Sequence, residues 1–227
     1  MDYFSLLNRP ERPAEDRERD AASHPAEMLA LMGLRPGQQV LDFQSASGYF
    51  TELLSYAVGP EGKVIAHNHS REGVLGPEVF ERRYGNDRLP NTELLYARHN
   101  DLNLPAASLD AVLMSMVYHD TYWLGSGVDW GPVDHQAFLA ELYEALRPEG
   151  VVLVIDHQAP AGADPYESAR DTHRIDQAVV LQDFADAGFV LKQESDILRN
   201  PGDKPEVQIF NDAAYRATDR FVLLFGK

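Results

Sequence analysis

No cysteine occurs among the 227 residues, so disulfides, thiolate metal ligands and a cysteine nucleophile are excluded, and cysteine usage leaves the redox compartment open. Lysine is nearly as scarce, four residues against sixteen arginines. The 20 basic side chains face 36 acidic ones, for a formal net charge of −16. Such a surface repels a phosphate backbone, so nucleic acid is not expected as a substrate. No stretch approaches the roughly 18 apolar residues of a membrane span. The charged segment Met1 to Asp20 also lacks the apolar h-region of a signal peptide, which predicts a cytoplasmic protein without a membrane partner. Internal repeats and low-complexity linkers are missing too, and 44% hydrophobic residues in a chain of this length predict one α/β domain over 1–227.

What is present is an alternation of strand-like and helix-like runs. Residues 1–34 read as an N-terminal helical cap within the domain: the charged run Pro13-Ala-Glu-Asp-Arg-Glu-Arg-Asp20 continues after His24-Pro25 into apolar Met28, Leu29, Leu31 and Met32. Gly33 and Arg35-Pro36-Gly37 stop it before a buried strand, Gln39 to Phe43. A helix over 48–58 carries Phe50, Leu53, Leu54 and Ala57 inward, and Gly59-Pro60-Glu61-Gly62 ends it before a second strand, Lys63 to Ala66. Strands over 93–96, 109–116 and 151–155 and a helix over 134–146 extend the pattern, which gives a parallel sheet covered on both faces. After a helix over 177–187, runs at 189–197 and 220–225 are joined without a helix and predict an antiparallel closure. Phe50, Leu53, Leu54, Phe138, Leu142, Phe184 and Phe189 are expected in the core.

In a doubly wound sheet the ligand lies beyond the carboxyl ends of the strands, nearest the turn after the first strand. Here that turn is Asp42-Phe-Gln-Ser-Ala-Ser-Gly48. With Val40-Leu before it and Tyr-Phe-Thr-Glu-Leu-Leu after it, it resembles motif I, D-x-G-x-G-x-G, of class I S-adenosylmethionine-dependent methyltransferases. Gln44 and Ala46 take the first two glycine positions and Gly48 the third. Because glycine admits positive φ and close ligand approach, these side chains are expected to narrow or reshape the pocket. The resemblance implies a Rossmann-like, doubly wound, seven-stranded sheet, mostly parallel with an antiparallel C-terminal strand. It also implies S-adenosylmethionine as cofactor, and the acidic surface and the aromatic segment after the fourth strand favour a small-molecule acceptor. Gly62-Lys-Val-Ile-Ala-His-Asn68 resembles the family's second strand, with Asn68 where an acid normally takes the ribose hydroxyls. Asp101, in Asn100-Asp-Leu-Asn-Leu-Pro105, is similar to the acid that receives the adenine amino group. The resemblance thus puts Asp42, Gln44, Ser45, Ala46, Gly48 and Asn68 around the cofactor, with Asp101, Leu102 and Met116.

A narrower resemblance is carried by Arg12-Pro-Ala-Glu-Asp-Arg, Ile155-Asp-His157, His173-Arg-Ile-Asp176 and Thr218-Asp-Arg-Phe-Val222. It is to a bacterial group of predicted methyltransferases of unsettled substrate, which also departs from the first motif I glycine. A second reading stays open, in which Gln44 and Ala46 close the cofactor site and the fold serves as a non-catalytic binding protein. A nicotinamide enzyme is disfavoured, since G-x-G-x-x-G is missing and the acid after the second strand is an amide.

For chemistry, neighbouring parallel strands bring the tips Tyr118-His119-Asp120 and Asp156-His157 together at the ligand crevice. Either His119 or His157 is a candidate base, oriented by Asp120 or Asp156. Taken singly, each histidine is as readily a loop cap. Arg174 is placed to clamp a substrate carboxylate or phosphate, against an ion pair with Asp171 or Asp176. Cation-dependent O-methyltransferases carry carboxylates at tips similar to those of Asp120 and Asp156, and His119, His157 and His173 would suit Zn²⁺, Fe²⁺ or Mn²⁺ better than Mg²⁺, but no tight metal-binding spacing is present and no metal is expected. Tyr118, Tyr122, Trp123 and Trp130, interspersed with Gly125, Gly127 and Gly131, read as a substrate wall or lid, or as loop packing.

Overall fold

A computed structural model of the chain describes residues 1–70, 76–124, 132–211 and 216–227. Three helices open it, α1 (Phe4–Leu7), α2 (Ala14–Ser23) and α3 (Pro25–Met32). His24 alone separates the last two, in a left-handed conformation at φ 45°, and Pro25 starts α3 where its missing N–H costs nothing. Met28 and Leu29 share one apolar cluster with Val40 and Leu153 of the sheet, which ties this cap to it.

Seven strands follow: β1 (Gln39–Phe43), β2 (Lys63–Asn68), β3 (Thr92–Tyr96), β4 (Leu109–Ser115), β5 (Leu146–His157), β6 (Val190–Ser195) and β7 (Arg220–Gly226). Their order is β3-β2-β1-β4-β5-β7-β6. Pairing is parallel from β3 through to β5, and β7 runs antiparallel to both β5 and β6. The expected closure is therefore observed. On β4, Ala111 and Leu113 enter one core cluster with Leu54 and Leu153, whereas Val112 and Met114 enter the other with Phe138 and Phe184. Burial on both faces explains why β1 and β4 read as continuous apolar runs.

The covering helices are α4 (Tyr49–Val58), α5 (Pro77–Tyr84), α6 (His135–Ala145), α7 (Pro165–Thr172) and α8 (Gln177–Asp186). Asp134, Asp164 and Asp176 cap α6, α7 and α8 by accepting from the amides of Ala137, Glu167 and Ala178. Sequence periodicity does not announce α5 and α7, which are short and polar. Strand β5 starts earlier than expected, because Leu146 already pairs with Leu109 ahead of a register shift. No helix among the described residues is long and apolar enough to cross a membrane.

Candidate active site

Beyond the carboxyl end of β1 the chain keeps a left-handed conformation at all three motif positions, with φ 50° at Gln44, 47° at Ala46 and 76° at Gly48. The glycine-type backbone thus persists where two glycines do not. The end of β2 holds it: Gln44 N donates to His67 Nδ1 (3.3 Å), Ser45 N to His67 O (2.8 Å) and Ala46 N to Asn68 Oδ1 (3.0 Å). Asn68 Nδ2 in turn donates to Ser45 Oγ at 3.0 Å. His67 Nε2 donates to Ala97 O at 3.0 Å, which leaves Nδ1 as the acceptor that Gln44 needs. Burial pushes the His67 pKa down to about 4, so the ring stays neutral in this role.

Why Gly48 alone remains glycine follows from its surroundings. A Cβ there would lie 2.6 Å from Tyr84 Oη and 3.0 Å from Arg83 Cγ on α5. Gln44 and Ala46 instead line a cavity and have room for side chains. Arg83 is the hinge of this support. Its Nε donates to Ser47 O (2.8 Å), one guanidinium nitrogen pairs with Glu52 and the other with Asp16 at 2.7 Å. Glu52, fully buried, also accepts from Arg88 and from Tyr56 Oη (2.6 Å).

The cavity has a volume of about 360 Å³ and is lined by Asp42, Gln44, Ser45, Ala46, Asn68 and Met116, with Arg19 and Tyr49 from the helices. Gln44 Nε2 and Ser115 Oγ, both at this cavity, are buried without a hydrogen-bond partner among the described residues. Holding L-residues left-handed costs about 1–2 kcal/mol each. Ala46→Gly is therefore expected to stabilise the protein by about 0.5–1 kcal/mol, after the entropy glycine gains on unfolding. Urea unfolding checks this, and a loss of stability would mean that the Ala46 methyl makes contacts worth more than the strain.

Asp42, buried, also lines this cavity. Burial pushes its pKa up to about 7, against the lowering effects of the Thr51 hydroxyl, which donates to Oδ2 at 2.6 Å, and of Arg19. Tyr84 is the other titratable group that feels it. The folded chain thus keeps a proton that the unfolded chain releases above about pH 4, so this group's contribution to stability falls as pH rises through the window up to about 7. Asp42→Asn is expected to flatten that part of the pH profile, by a few kcal/mol across the window. Parallel wild-type and variant profiles in urea unfolding would contradict it.

At the neighbouring tips, β4 and β5 bring His119 and Asp156 into contact. His119 Nδ1 donates to Asp156 Oδ1 (2.8 Å), and the amides of His119 (2.9 Å) and His157 (2.7 Å) donate to the same carboxylate. Burial opposes charge on His119, but Asp156 and Asp120 outweigh it and push its pKa up to about 9. The His157 ring is held by Thr218, Nδ1 to Oγ1 at 2.7 Å, and burial with nearby cations drives its pKa well below the ordinary value. His119, His157, His173, Asp120, Ile209 and Phe210 line a second cavity of about 460 Å³. Arg19, Ala46, Met116 and Asp120 line both cavities, which therefore adjoin.

Residues 41–154, just over half of the chain, match the family model described as Methyltransferase domain. The chain belongs to this family. It is 29% identical over 130 residues to a ubiquinone/menaquinone biosynthesis C-methyltransferase of Hahella chejuensis, covering 56% of this chain and 46% of that protein. It is 28% identical over 134 residues to a demethylmenaquinone methyltransferase of Listeria welshimeri, covering 59% and 51%. The chain spans about half the length of the curated relatives it matches. In fold it is similar to a SAM dependent methyltransferase from Aquifex aeolicus, with a TM-score of 0.64 and 20% identity over 99% of this chain and 98% of that one. The family's cofactor is S-adenosylmethionine, and the first cavity fits it. It opens at the switch point of the sheet, and its unpaired Gln44 and Ser115 atoms offer a polar ligand hydrogen bonds.

Within this methyltransferase domain, Asp42, Gln44, Ser45, Ala46, Asn68 and Met116 lie at the first cavity, and Gly48 lies beneath it. Two expectations are corrected. After β3 the chain turns outward, Asp101 N donating to Arg98 O at 3.0 Å, so Asp101 is exposed and its carboxylate accepts from Asn103 Nδ2 (2.7 Å). His99 takes the inward place, buried against Phe43 and His67. Leu102 is buried in the sheet's core cluster and does not line the cavity. His119, Asp156 and His157 do come together, although Asp156 holds His119 across the strands and not its neighbour's ring.

Arg174 is a third correction. It is fully buried, forms a two-pronged pair with Asp203 (2.6 and 3.2 Å) and donates to the carbonyls of Val207 and Gln158. It fastens the segment that carries Ile209 and Phe210 and has no face toward an acceptor. Tyr118 and Tyr122 are loop packing, both hydroxyls donating to Asp183 (2.8 and 2.6 Å). Trp123 packs partly buried against the core, and Trp130, Gly125, Gly127 and Gly131 lie outside the described residues. Sequence reading gives no role to His67, Arg83 or Thr218, whose partners are 23, 36 and 61 positions away.

Proposed function

We propose that the protein transfers the methyl group of S-adenosylmethionine to a small-molecule acceptor held in the second cavity. The carrying observation is that two cavities, one fitting the cofactor and one lined by histidines, adjoin at Ala46, Met116 and Asp120. Bound there, the cofactor supplies an electrophilic methyl on a sulfonium. The chain's own work is alignment, since displacement is accelerated mostly by holding the nucleophile in line. His157 is the residue best placed to take the acceptor's proton: Thr218 occupies Nδ1, which leaves Nε2 for a partner at the cavity. His119, oriented by Asp156, borders the same space. A cavity of about 460 Å³ with apolar Ile209 and Phe210 beside these polar groups suits a small organic molecule. The net charge of −16 and relatives named for quinone methylation support the same class of acceptor.

The test uses tritiated methyl on S-adenosylmethionine, incubated with the protein and, separately, with the small-molecule, protein and RNA fractions of a bacterial extract. Label is expected in a small molecule. Label in RNA or protein alone would overturn the acceptor class, and cofactor bound without transfer to any fraction would favour the non-catalytic reading. With the acceptor in hand, His157→Asn retains a partner for Thr218 but lacks Nε2. It is expected to lower kcat about 100-fold or more while leaving cofactor affinity unchanged. An unaltered kcat removes His157 from the chemistry.

A further inference from the structure

We propose that His119, Asp120 and His173 form a site for one divalent first-row transition-metal ion opening on the second cavity. One ligand atom from each residue lies within 4.8 Å of the others. His119 Nε2 is 3.3 Å from Asp120 Oδ1, and His173 Nδ1 is 3.8 Å from the same oxygen. A tetrahedral ion with bonds of about 2.0–2.1 Å sets its ligand atoms about 3.3 Å apart. The His119–Asp120 spacing already matches, and only the His173 ring has to close in.

Three further features distinguish this cluster from a chance meeting of polar side chains. Two imidazoles and one carboxylate are a donor set for Zn²⁺, Fe²⁺, Co²⁺ or Mn²⁺ rather than for Mg²⁺ or Ca²⁺. His119 also has the support that metal-bound histidines use: Nδ1 donates to the fully buried Asp156, so Nε2 is the nitrogen that gives up its proton to take the ion. That carboxylate is itself fixed by the amides of His119 and His157, so it orients the ring and is not a ligand. Finally, all three residues line the second cavity, which leaves a coordination position facing a bound molecule. An ion there would polarise an acceptor oxygen and favour its deprotonation. The ligands come from two segments that meet only in the fold, since Asp120 follows β4 and His173 ends α7 in a left-handed turn at φ 53°. Sequence spacing therefore carries no sign of them.

The site does not depend on methyl transfer, and binding is measured without cofactor or acceptor. Tag-free protein, cleared of metal with chelator, is titrated with Zn²⁺ in a calorimeter and with Co²⁺ under visible absorption. One equivalent of each ion and a cobalt band of nitrogen and oxygen ligation are expected. His173→Ala and Asp120→Asn should each weaken binding at least about tenfold. His24→Ala, which removes a remote histidine beside Glu27, should leave it unchanged. Asp120→Asn is nearly isosteric, so it reads out even if the alanine variant folds poorly. No saturable binding by the folded wild type, or binding unchanged in both site variants, would overturn the proposal.

Discussion

Asp156→Ala is expected to destabilise the protein by about 3–5 kcal/mol, because it strips a buried site of its acceptor and leaves three donors unpaired. Those donors are the amides of His119 and His157 and Nδ1 of His119, at 2.9, 2.7 and 2.8 Å from the carboxylate. For a chain of this size each kcal/mol moves Tm by about 2–4 °C, so a fall of roughly 10 °C in a thermal melt is the outcome to look for. Asp156→Asn should cost less, since one oxygen still accepts while the new N–H meets other donors. Methyl transfer should be lost in both, as the His119 ring is no longer held. A Tm within about 2 °C of wild type for the alanine variant would show that Asp156 does not organise the rim.

Arg83→Met is the second large effect. It leaves Asp16 without its ion-pair partner, removes one of two cations from buried Glu52 and frees Ser47 O at the cofactor loop. Breaking a buried pair on one side costs about 3–5 kcal/mol. Because Ser47 lies between Ala46 and Gly48, affinity for S-adenosylhomocysteine should also fall several-fold, as about 1 kcal/mol of loop anchoring is lost. Arg82→Met is the control: its pair with Glu15 is exposed on both sides, and such pairs are worth about 0–1 kcal/mol. Equal effects from the two variants would mean that the buried network does not support the loop.

What the sequence makes legible is whatever rests on local periodicity. The bounds of β1 and the antiparallel pairing of β6 with β7 are read from apolar runs and turn residues alone. So is the register of the motif I loop, because the strand before it and the helix after it frame it. Its conformation is not legible: Gln44 and Ala46 suggest a reshaped loop, yet the amides of 44–46 are held by His67 and Asn68 from β2 and keep the glycine-type φ. Arg174 reads as an anion clamp beside His173, but its partner Asp203 is 29 positions away, and a buried guanidinium goes to the carboxylate that neutralises it. Asp101 occupies the expected place in the chain, and one outward turn after β3 sends its side chain to solvent. The rim histidines are found by strand-end position, whereas their pairing is set by the β4–β5 register that joins Ser115 to Ile155.

On the proposed function, the cavity beyond β1 still takes the cofactor despite the two missing glycines. Isothermal titration of the folded wild-type protein with S-adenosylmethionine, followed by competition with S-adenosylhomocysteine, tests it most directly. One saturable site shared by both ligands is the predicted result. A folded protein that binds neither would mean that Gln44 and Ala46 have closed the site and that the chain is no S-adenosylmethionine enzyme.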